Sequence, residues 1–299
     1  MEAPALGIYP GIPFQEYRQW ECVNSGAVRW GDVTMAHMQA AMQGLLDTDS
    51  EAKKFGRAIH ARLLEPAVFH EQYLISAPCQ TKLKSGDNKG KPCGSRSSRY
   101  WDGQWYCKTH APAGAEEPLD YIDDEELGRI ERIVQAVKGH PVVKLIAQHG
   151  GFESSVVWSM KDVTLKSRLD KLILEGNCPP TIIDLKKVQV GKGGNAAFAK
   201  SIDDWGYSIQ ASMYVDAVKS LTGVECNFIW IVIEDKEPHL VNVLKCDQVS
   251  LKIGRFQYDH VLESWQKAVS SGVYPGYGQD IQLCGLPDYA KRRFKSLLE

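Results

Sequence analysis

Ser167-Arg168-Leu169-Asp170, followed by Thr181-Ile182-Ile183-Asp184-Leu185-Lys186-Lys187, is the stretch that decides the fold. Residues 163–174 alternate roughly at period two. Glu175-Gly176-Asn177-Cys178-Pro179-Pro180 supplies turn chemistry, and Thr181-Ile182-Ile183 opens a second β-branched run. The pattern predicts a hairpin. Successive strand side chains point to opposite faces, so Asp184 and Lys186 share one face while Leu185 points the other way into apolar packing. Asp170, on the neighbouring strand, can reach the same point. Two carboxylates held close together repel unless a cation or a proton sits between them, and hard oxygen ligands suit Mg²⁺ or Mn²⁺. On these residues alone two readings stand: a surface hairpin with ordinary exposed charges, and a metal site with an ammonium beside it.

Working outward, Phe152-Glu153-Ser154-Ser155-Val156-Val157-Trp158 reads as a strand leading into the hairpin, with Glu153 as a third carboxylate. After the hairpin, Gly191-Lys192-Gly193-Gly194-Asn195 predicts a flexible loop. It lacks the Gly-Lys-Ser/Thr spacing of a Walker A loop, which excludes a nucleoside-triphosphatase. Residues 203–221 have helical spacing, with Gly223 as the stop signal. Gln210 and Tyr214 lie four apart on one face of that helix, where an amide and a phenol can orient a phosphate or a base. Residues 224–234 and 239–244 read as strands, residues 248–269 as a long amphipathic helix, and Lys291-Arg292-Arg293-Phe294-Lys295 as a basic end on a last helix.

Upstream, Asp123-Asp124-Glu125-Glu126 opens a helix with an acidic first turn, as the helix dipole favours, and Pro141 interrupts it. Residues 34–46 and 50–64 also have helical spacing, and Pro66 closes the second of these. That helix carries His60, with Gly56 and Ala61 small enough to admit another backbone. A lone helical histidine reads as a packed or solvated residue as readily as a ligand. Residues 1–30 read as loop-rich, with turn signals at Tyr9-Pro10-Gly11 and Ile12-Pro13.

Residues 76–120 differ in character, being rich in Gly, Ser, Lys and Pro. They carry Cys79, Cys93, Cys107 and His110, and Cys107-Lys108-Thr109-His110 is a knuckle that brings a thiolate and an imidazole to one point. Two further thiolates complete a tetrahedral Cys₃His zinc site. A segment this poor in apolar residues draws its folding energy from the metal, or else it is a loop with incidental cysteines. Between Cys79 and His110 there are seven Lys or Arg against two Asp, interleaved with Tyr100, Trp101, Trp105 and Tyr106. Such a mixture suits a nucleic-acid contact, and equally a solvated loop whose rings cover the zinc.

The 299 residues, 43% of them hydrophobic, can bury a sizeable core as one domain (1–299) carrying an inserted segment (78–118). A net charge of −2 excludes a generic polyanion binder, so any basic surface must be local. No charged-then-apolar leader opens the chain and no apolar run reaches the length of a membrane span, so the expectation is a cytoplasmic protein. Eight cysteines in that setting point to thiols or metal rather than a disulfide scaffold.

The order His60 in Gly-x-x-x-His-x-x-x-Leu-Glu-Pro, then Glu153, Asp170, Asp184-Leu185-Lys186 and Gln210-x-x-x-Tyr214, resembles the PD-(D/E)xK nuclease superfamily. More narrowly it resembles the exonuclease VIII (RecE-type) nucleases of phages and prophages. The likeness runs from Tyr9-Pro10 through the helix after Gln210, with the cysteine segment outside the common core. Arg168-Leu169-Asp170 stands where the family usually has Arg-Pro-Asp, and Lys187 where it usually has Thr, which leaves the role of Lys187 open. The resemblance implies an α/β fold with a central mixed sheet flanked by helices. It further implies metal-dependent hydrolysis of linear double-stranded DNA from its ends, 5′ to 3′, leaving a single strand for an annealing protein in phage-type recombination.

In that scheme His60, Asp170, Asp184 and the Leu185 carbonyl hold Mg²⁺, and Lys186 and Glu153 serve catalysis. Gln210 and Tyr214 contact substrate, and the chain forms a homo-oligomer in a bacterial host. Two other readings remain: a nuclease with an iron–sulfur cluster, and a non-catalytic zinc-dependent DNA-binding accessory protein on a nuclease-like fold. Cys226, Cys246 and Cys284 are widely dispersed, unlike the cysteine spacing of the iron–sulfur nucleases.

Overall fold

The hairpin forms, and its second strand sits at the middle of a six-stranded mixed sheet. A computed structural model describes residues 1–46, 49–118, 120–176 and 179–297, the last three as backbone. Asn177 and Cys178 of the predicted turn lie outside the described residues. In chain order the elements are β1 (Gly7–Pro10), α1 (Phe14–Gln19), α2 (Ser25–Val33), α3 (Met35–Met42), α4 (Glu51–Leu64), α5 (Pro66–Gln72) and β2 (Leu74–Ser76). Then come β3 (Arg99–Trp101), β4 (Gln104–Tyr106), β5 (Tyr121–Asp123), α6 (Asp124–Gly139), α7 (Pro141–Ala147), β6 (Gly151–Met160), β7 (Val163–Ile173) and β8 (Thr181–Val188). The chain ends with α8 (Asn195–Asp204), α9 (Tyr207–Thr222), β9 (Asn227–Glu234), β10 (Val241–Lys245), α10 (Gln248–Ser271) and α11 (Asp288–Lys291) before a 3-10 turn over Arg292–Leu297.

The sheet order is β1-β6-β7-β8-β9-β10, antiparallel throughout except for the parallel pair β8·β9. On β9 the apolar run is buried on both faces, as a central strand requires. Phe228, Trp230 and Val232 enter one core layer, which holds residues of α2, α3, α9 and α10; Ile231 and Ile233 enter the other, with residues of α4, α5, α6 and α7. Each fully buried side chain of this kind contributes about 1.5–3 kcal/mol relative to exposure, so β9 anchors both layers. The α/β class with a mixed sheet flanked by helices is the one the sequence implies.

Helix limits follow their caps. Asp123 and Glu126 form a reciprocal capping box at the start of α6, and Asp247 caps α10. Pro66 does more than stop α4, since it also opens α5 as the first helical residue, where its missing N–H costs nothing.

Three segments differ from expectation. Residues 1–30 are not mainly loop: β1 pairs along β6, and α1 and α2 follow it. The single helix expected over 203–221 is two, α8 and α9, separated at Gly206 (φ +61). The loop after β8 is pinned: the buried Glu234 carboxylate accepts the N–H groups of Gly191 (2.9 Å) and Gly193 (3.1 Å), and Asn242 donates to the Gly193 carbonyl (2.9 Å). Gly56 does not admit a backbone either, because what lies beyond its Cα is the end of the Lys187 side chain.

The cysteine-bearing segment leaves the body after β2 and returns at β5, and these two short strands pair side by side in parallel. Among the described residues no helix is long and apolar enough to cross a membrane.

Candidate active site and zinc centre

Sheet register alone lines up three carboxylates. The β6·β7 ladder is closed at Ser154↔Leu169 and at Phe152↔Lys171, which leaves Glu153 and Asp170 facing each other between the two pairs. The β7·β8 ladder ends at Lys171↔Ile183, so the next positions outward are Asp170 and Asp184. At this row the strands depart from ideal geometry. Glu153 is left-handed (φ +50), and Leu165, Leu169 and Leu172 all enter the same core layer, so the alternation of β7 slips by one residue at Asp170. Beyond Ile183 the two strands fork. There the Asp170 carboxylate accepts the Leu185 backbone N–H at 2.6 Å, taking a bond the ladder no longer supplies.

His60 reaches this fork from α4. Its Nε2 lies 3.1 Å from the Leu185 carbonyl, and its Nδ1 lies 3.6 Å from an Asp170 oxygen. One ligand atom each from His60, Glu153 and Asp170 fall within 4.8 Å of one another. Asp184 stands apart from that triad. It forms an ion pair with Lys186 at 2.5 Å and accepts from Gln210 Nε2 at 3.1 Å, while Gln210 also contacts the Tyr214 hydroxyl at 3.1 Å. Asp184 Oδ2 is buried and, apart from the ion-pair contact, has no directed hydrogen bond. Of Gln210 and Tyr214, expected to meet substrate, Gln210 thus lies against Asp184 and the Tyr214 hydroxyl lies against Gln210.

The electrostatics favour a cation among these groups. Burial, and then the neighbouring Asp170, push the Glu153 carboxyl up to about 7. Burial, and then Asp184, push Asp170 up to about 7 as well. Burial and the Lys186 ammonium hold His60 below its ordinary value, so its imidazole stays neutral and available as a ligand. For Lys186 burial acts downward, but Asp184 and then Tyr207 and Asp170 outweigh it and keep the ammonium charged. Carboxylates that cannot all ionise without a counter-charge, beside a neutral imidazole and a carbonyl oxygen, form a donor set that fits Mg²⁺ or Mn²⁺.

Several neighbours were not singled out by sequence reasoning. The Arg168 guanidinium is buried against the Glu153 carboxylate. It also donates to the Ile12 carbonyl (2.7 Å) and Ser155 Oγ (3.2 Å), and lies 3.6 Å from Glu65. A signal existed, since Arg168 and Asp170 are two apart on one strand. The Tyr207 ring lies 4.8 Å from Lys186 Nζ, and the Arg29 guanidinium lies near the rings of Trp30 and of the exposed Trp205 that ends α8. Neither carries a motif. Lys166, also buried, donates to the carbonyls of Tyr17, Arg18 and Trp20 and so fastens the end of α1 to the sheet. Lys187 faces Asp235 at 3.7 Å.

The four predicted zinc ligands come together as well. Cys107 Sγ lies 3.3 Å and Cys79 Sγ 3.7 Å from His110 Nδ1, and Cys93 Sγ lies 4.0 Å from Cys107 Sγ. All four donor atoms lie within 4.8 Å of one another. Tetrahedral zinc with bonds of ~2.3 Å requires edges of about 3.8 Å, so the set fits zinc. Burial would raise the Cys79 thiol, yet hydrogen bonds from Thr81 and the Cys107 backbone bring it down to about 6, poised as a thiolate. Cys226 and Cys246 are buried, with thiols raised by burial, and no further cysteine joins a ligand group among the described residues.

No curated protein matches the chain. Among solved structures, a candidate exonuclease from Eubacterium rectale aligns with a TM-score of 0.57 over 93% of this chain and 94% of that one, at 12% identity, which shows a shared fold. A second, SSO0001, covers 46% of this chain and 60% of that one at 15% identity, with a TM-score of only 0.25. A family model matches residues 25–287, a span that holds the carboxylate row, His60, Lys186 and the cysteine centre, and the chain therefore belongs to the PDDEXK-like domains of unknown function (DUF3799).

Proposed function

We propose that the protein is a Mg²⁺- or Mn²⁺-dependent exodeoxyribonuclease that degrades linear double-stranded DNA from its ends. The observation that carries this reading is the row Glu153, Asp170 and Asp184 on three adjacent strands, with Lys186 paired to Asp184 and His60 over the fork. His60, Asp170 and Glu153, whose ligand atoms already lie together, would hold the metal with the Leu185 carbonyl, and Asp184 would join them from the next strand. When bound, the metal polarises the scissile phosphate and acidifies a water.

The chain's own residues do the rest. Lys186 positions the attacking water and offsets charge on the phosphate, held in place by Asp184 and the Tyr207 ring. Gln210, in contact with the Tyr214 hydroxyl, fixes the Asp184 carboxylate, and Arg168 fixes Glu153. Resemblance to RecE-type nucleases supports 5′ to 3′ polarity, a homo-oligomer, a single-strand annealing partner and a role in phage-type recombination within the bacterial cytoplasm. The Cys₃His centre would hold a structural zinc.

Digestion of linear duplex labelled at either end, with Mg²⁺ or with EDTA and with Asp184→Ala as control, tests the reading. Mg²⁺-dependent release of the 5′ label as mononucleotides, absent in the variant, is the expected result. Binding without cleavage under either metal would leave the accessory-protein reading in its place.

A further inference from the structure

The Cys79–His110 segment has a charge distribution that folding alone does not require. Of its seven Lys and Arg residues, both arginines are engaged in ion pairs, although Arg96 remains exposed. Arg96 pairs with Asp123 (2.6 Å) and Glu126 (3.0 Å) at the head of α6, and Arg99 pairs with Glu117. The five lysines are exposed, and among the described residues none of them makes an ion pair: Lys82, Lys84, Lys89, Lys91 and Lys108. Only Asp87 and Asp102 oppose them inside the segment. The lysines lie on both faces of the small ladder closed at Lys82↔Pro92, because Lys82 and Lys84 share one face and Lys91 lies opposite Leu83 on the other.

At the tip of the β3–β4 hairpin, Trp101 remains 46% exposed, with its ring against Gly114. Gly114 is left-handed (φ +89), and a Cβ there would meet the ring at 3.2 Å, so the indole has a fitted seat rather than a chance exposure.

A lysine ammonium is a compact point charge that neutralises phosphate without a fixed orientation, whereas the planar fork of arginine favours bidentate, geometry-specific contacts. A finger whose arginines are neutralised by carboxylates, and whose unpaired charges are five lysines beside one exposed indole, suits a polyanion recognised without regard to sequence. Its root is also close to the carboxylate row. Lys54 and Phe55 of α4 line one cleft with Arg96 and Tyr121, and His60 lies five residues further along the same helix, about 7.5 Å of rise.

We infer that the metal-tied finger is a second, sequence-neutral contact for duplex DNA, gripping the phosphate backbone away from the cleavage point while Trp101 packs against a sugar or an unpaired base. The inference rests on the nuclease reading for the identity of its ligand.

The test is equilibrium binding of a fluorescent linear duplex with Ca²⁺ in place of Mg²⁺, over a salt series. The full chain is compared with a variant carrying Lys82→Gln, Lys84→Gln, Lys89→Gln and Lys91→Gln, and with Trp101→Ala. Each lost phosphate contact flattens the plot of log affinity against log salt by about 0.9, so the quadruple variant should lose up to about 3.6 in slope. Affinity near physiological salt should fall by tenfold or more, with one zinc per chain retained and turnover at saturating DNA within twofold. Unchanged affinity and slope in a variant that keeps its zinc would overturn the inference, as would equal competition by poly-glutamate for the wild-type finger. A wild-type chain that binds through these lysines yet never cuts would sink the nuclease reading alone.

Discussion

Gln210 donates its amide to Asp184 at 3.1 Å and holds the carboxylate that pairs with Lys186. A positioning role through Asp184, rather than direct contact with substrate, makes a distinct kinetic prediction. Replacing Gln210 with Ala should lower kcat by about 10–100-fold, the usual cost of losing a partner of a metal-site ligand. KM for duplex should move little and the fold should remain. Steady-state kinetics on one duplex check this, and a raised KM with unchanged kcat would restore Gln210 as a substrate contact.

Metal-free stability should depend on pH through the carboxylate row. Glu153 and Asp170 are raised to about 7, so the folded chain holds protons that the unfolded chain releases near pH 4. Their contribution is therefore present in acid and is lost as pH rises towards 7. His60, held low, works in the opposite sense below about pH 6.5, but it is one group against two. Melting in the absence of Mg²⁺ should fall between pH 5 and pH 7.5. The rise in Tm on adding Mg²⁺ should be larger at pH 8 than at pH 6, since the cation replaces protons. An Mg²⁺ effect that shrinks as pH rises would contradict the ligand assignment.

Asp170→Asn should remove cleavage by at least about 10³-fold while raising metal-free Tm, because it deletes a buried like charge beside Asp184. Paired activity and melting measurements decide it. A variant both inactive and less stable would mean that the bond to Leu185 matters more than the repulsion.

Arg168→Met leaves Glu153 buried without its guanidinium and frees the Ile12 carbonyl. Breaking a buried pair from one side costs about 3–5 kcal/mol. Denaturant unfolding should show a loss of that size, and protease should cut before α2 faster than in the parent chain.

Cys107→Ser should abolish zinc binding, measured as one metal per chain falling to none, and open residues 79–116 to protease. The sheet core should melt as a unit close to the parent, because none of the four ligands belongs to either of the two main core layers. Loss of the whole transition would show that the centre is part of the core.

The hairpin and its Asp-x-Lys face were legible because period-two alternation and a Pro-rich turn are local signals. The gathering of Cys79, Cys93, Cys107 and His110 was legible from ligand chemistry. The first thirty residues were not, because β1 is made a strand only by pairing with β6 some 150 positions away. Nor was the helix break at Gly206 foreseen, where apolar spacing runs through a single left-handed glycine. The loop after β8 looked mobile from its glycines, and nothing local reveals that Glu234, on another strand, would fasten it. The same distance in sequence hid the partner of Gln210, since helical spacing shows which residues share a face but not what that face meets.

The parallel pairing of Leu74–Ser76 with Tyr121–Asp123 places the exit and return of the cysteine finger about 8 Å apart. Such closely spaced ends make the finger an exchangeable cassette. It can be exchanged for another crossover of a dozen or more residues, or lengthened, without altering the packing of α4 on α6 that presents His60. Grip on the substrate and chemistry at the fork can then diverge independently within one chain.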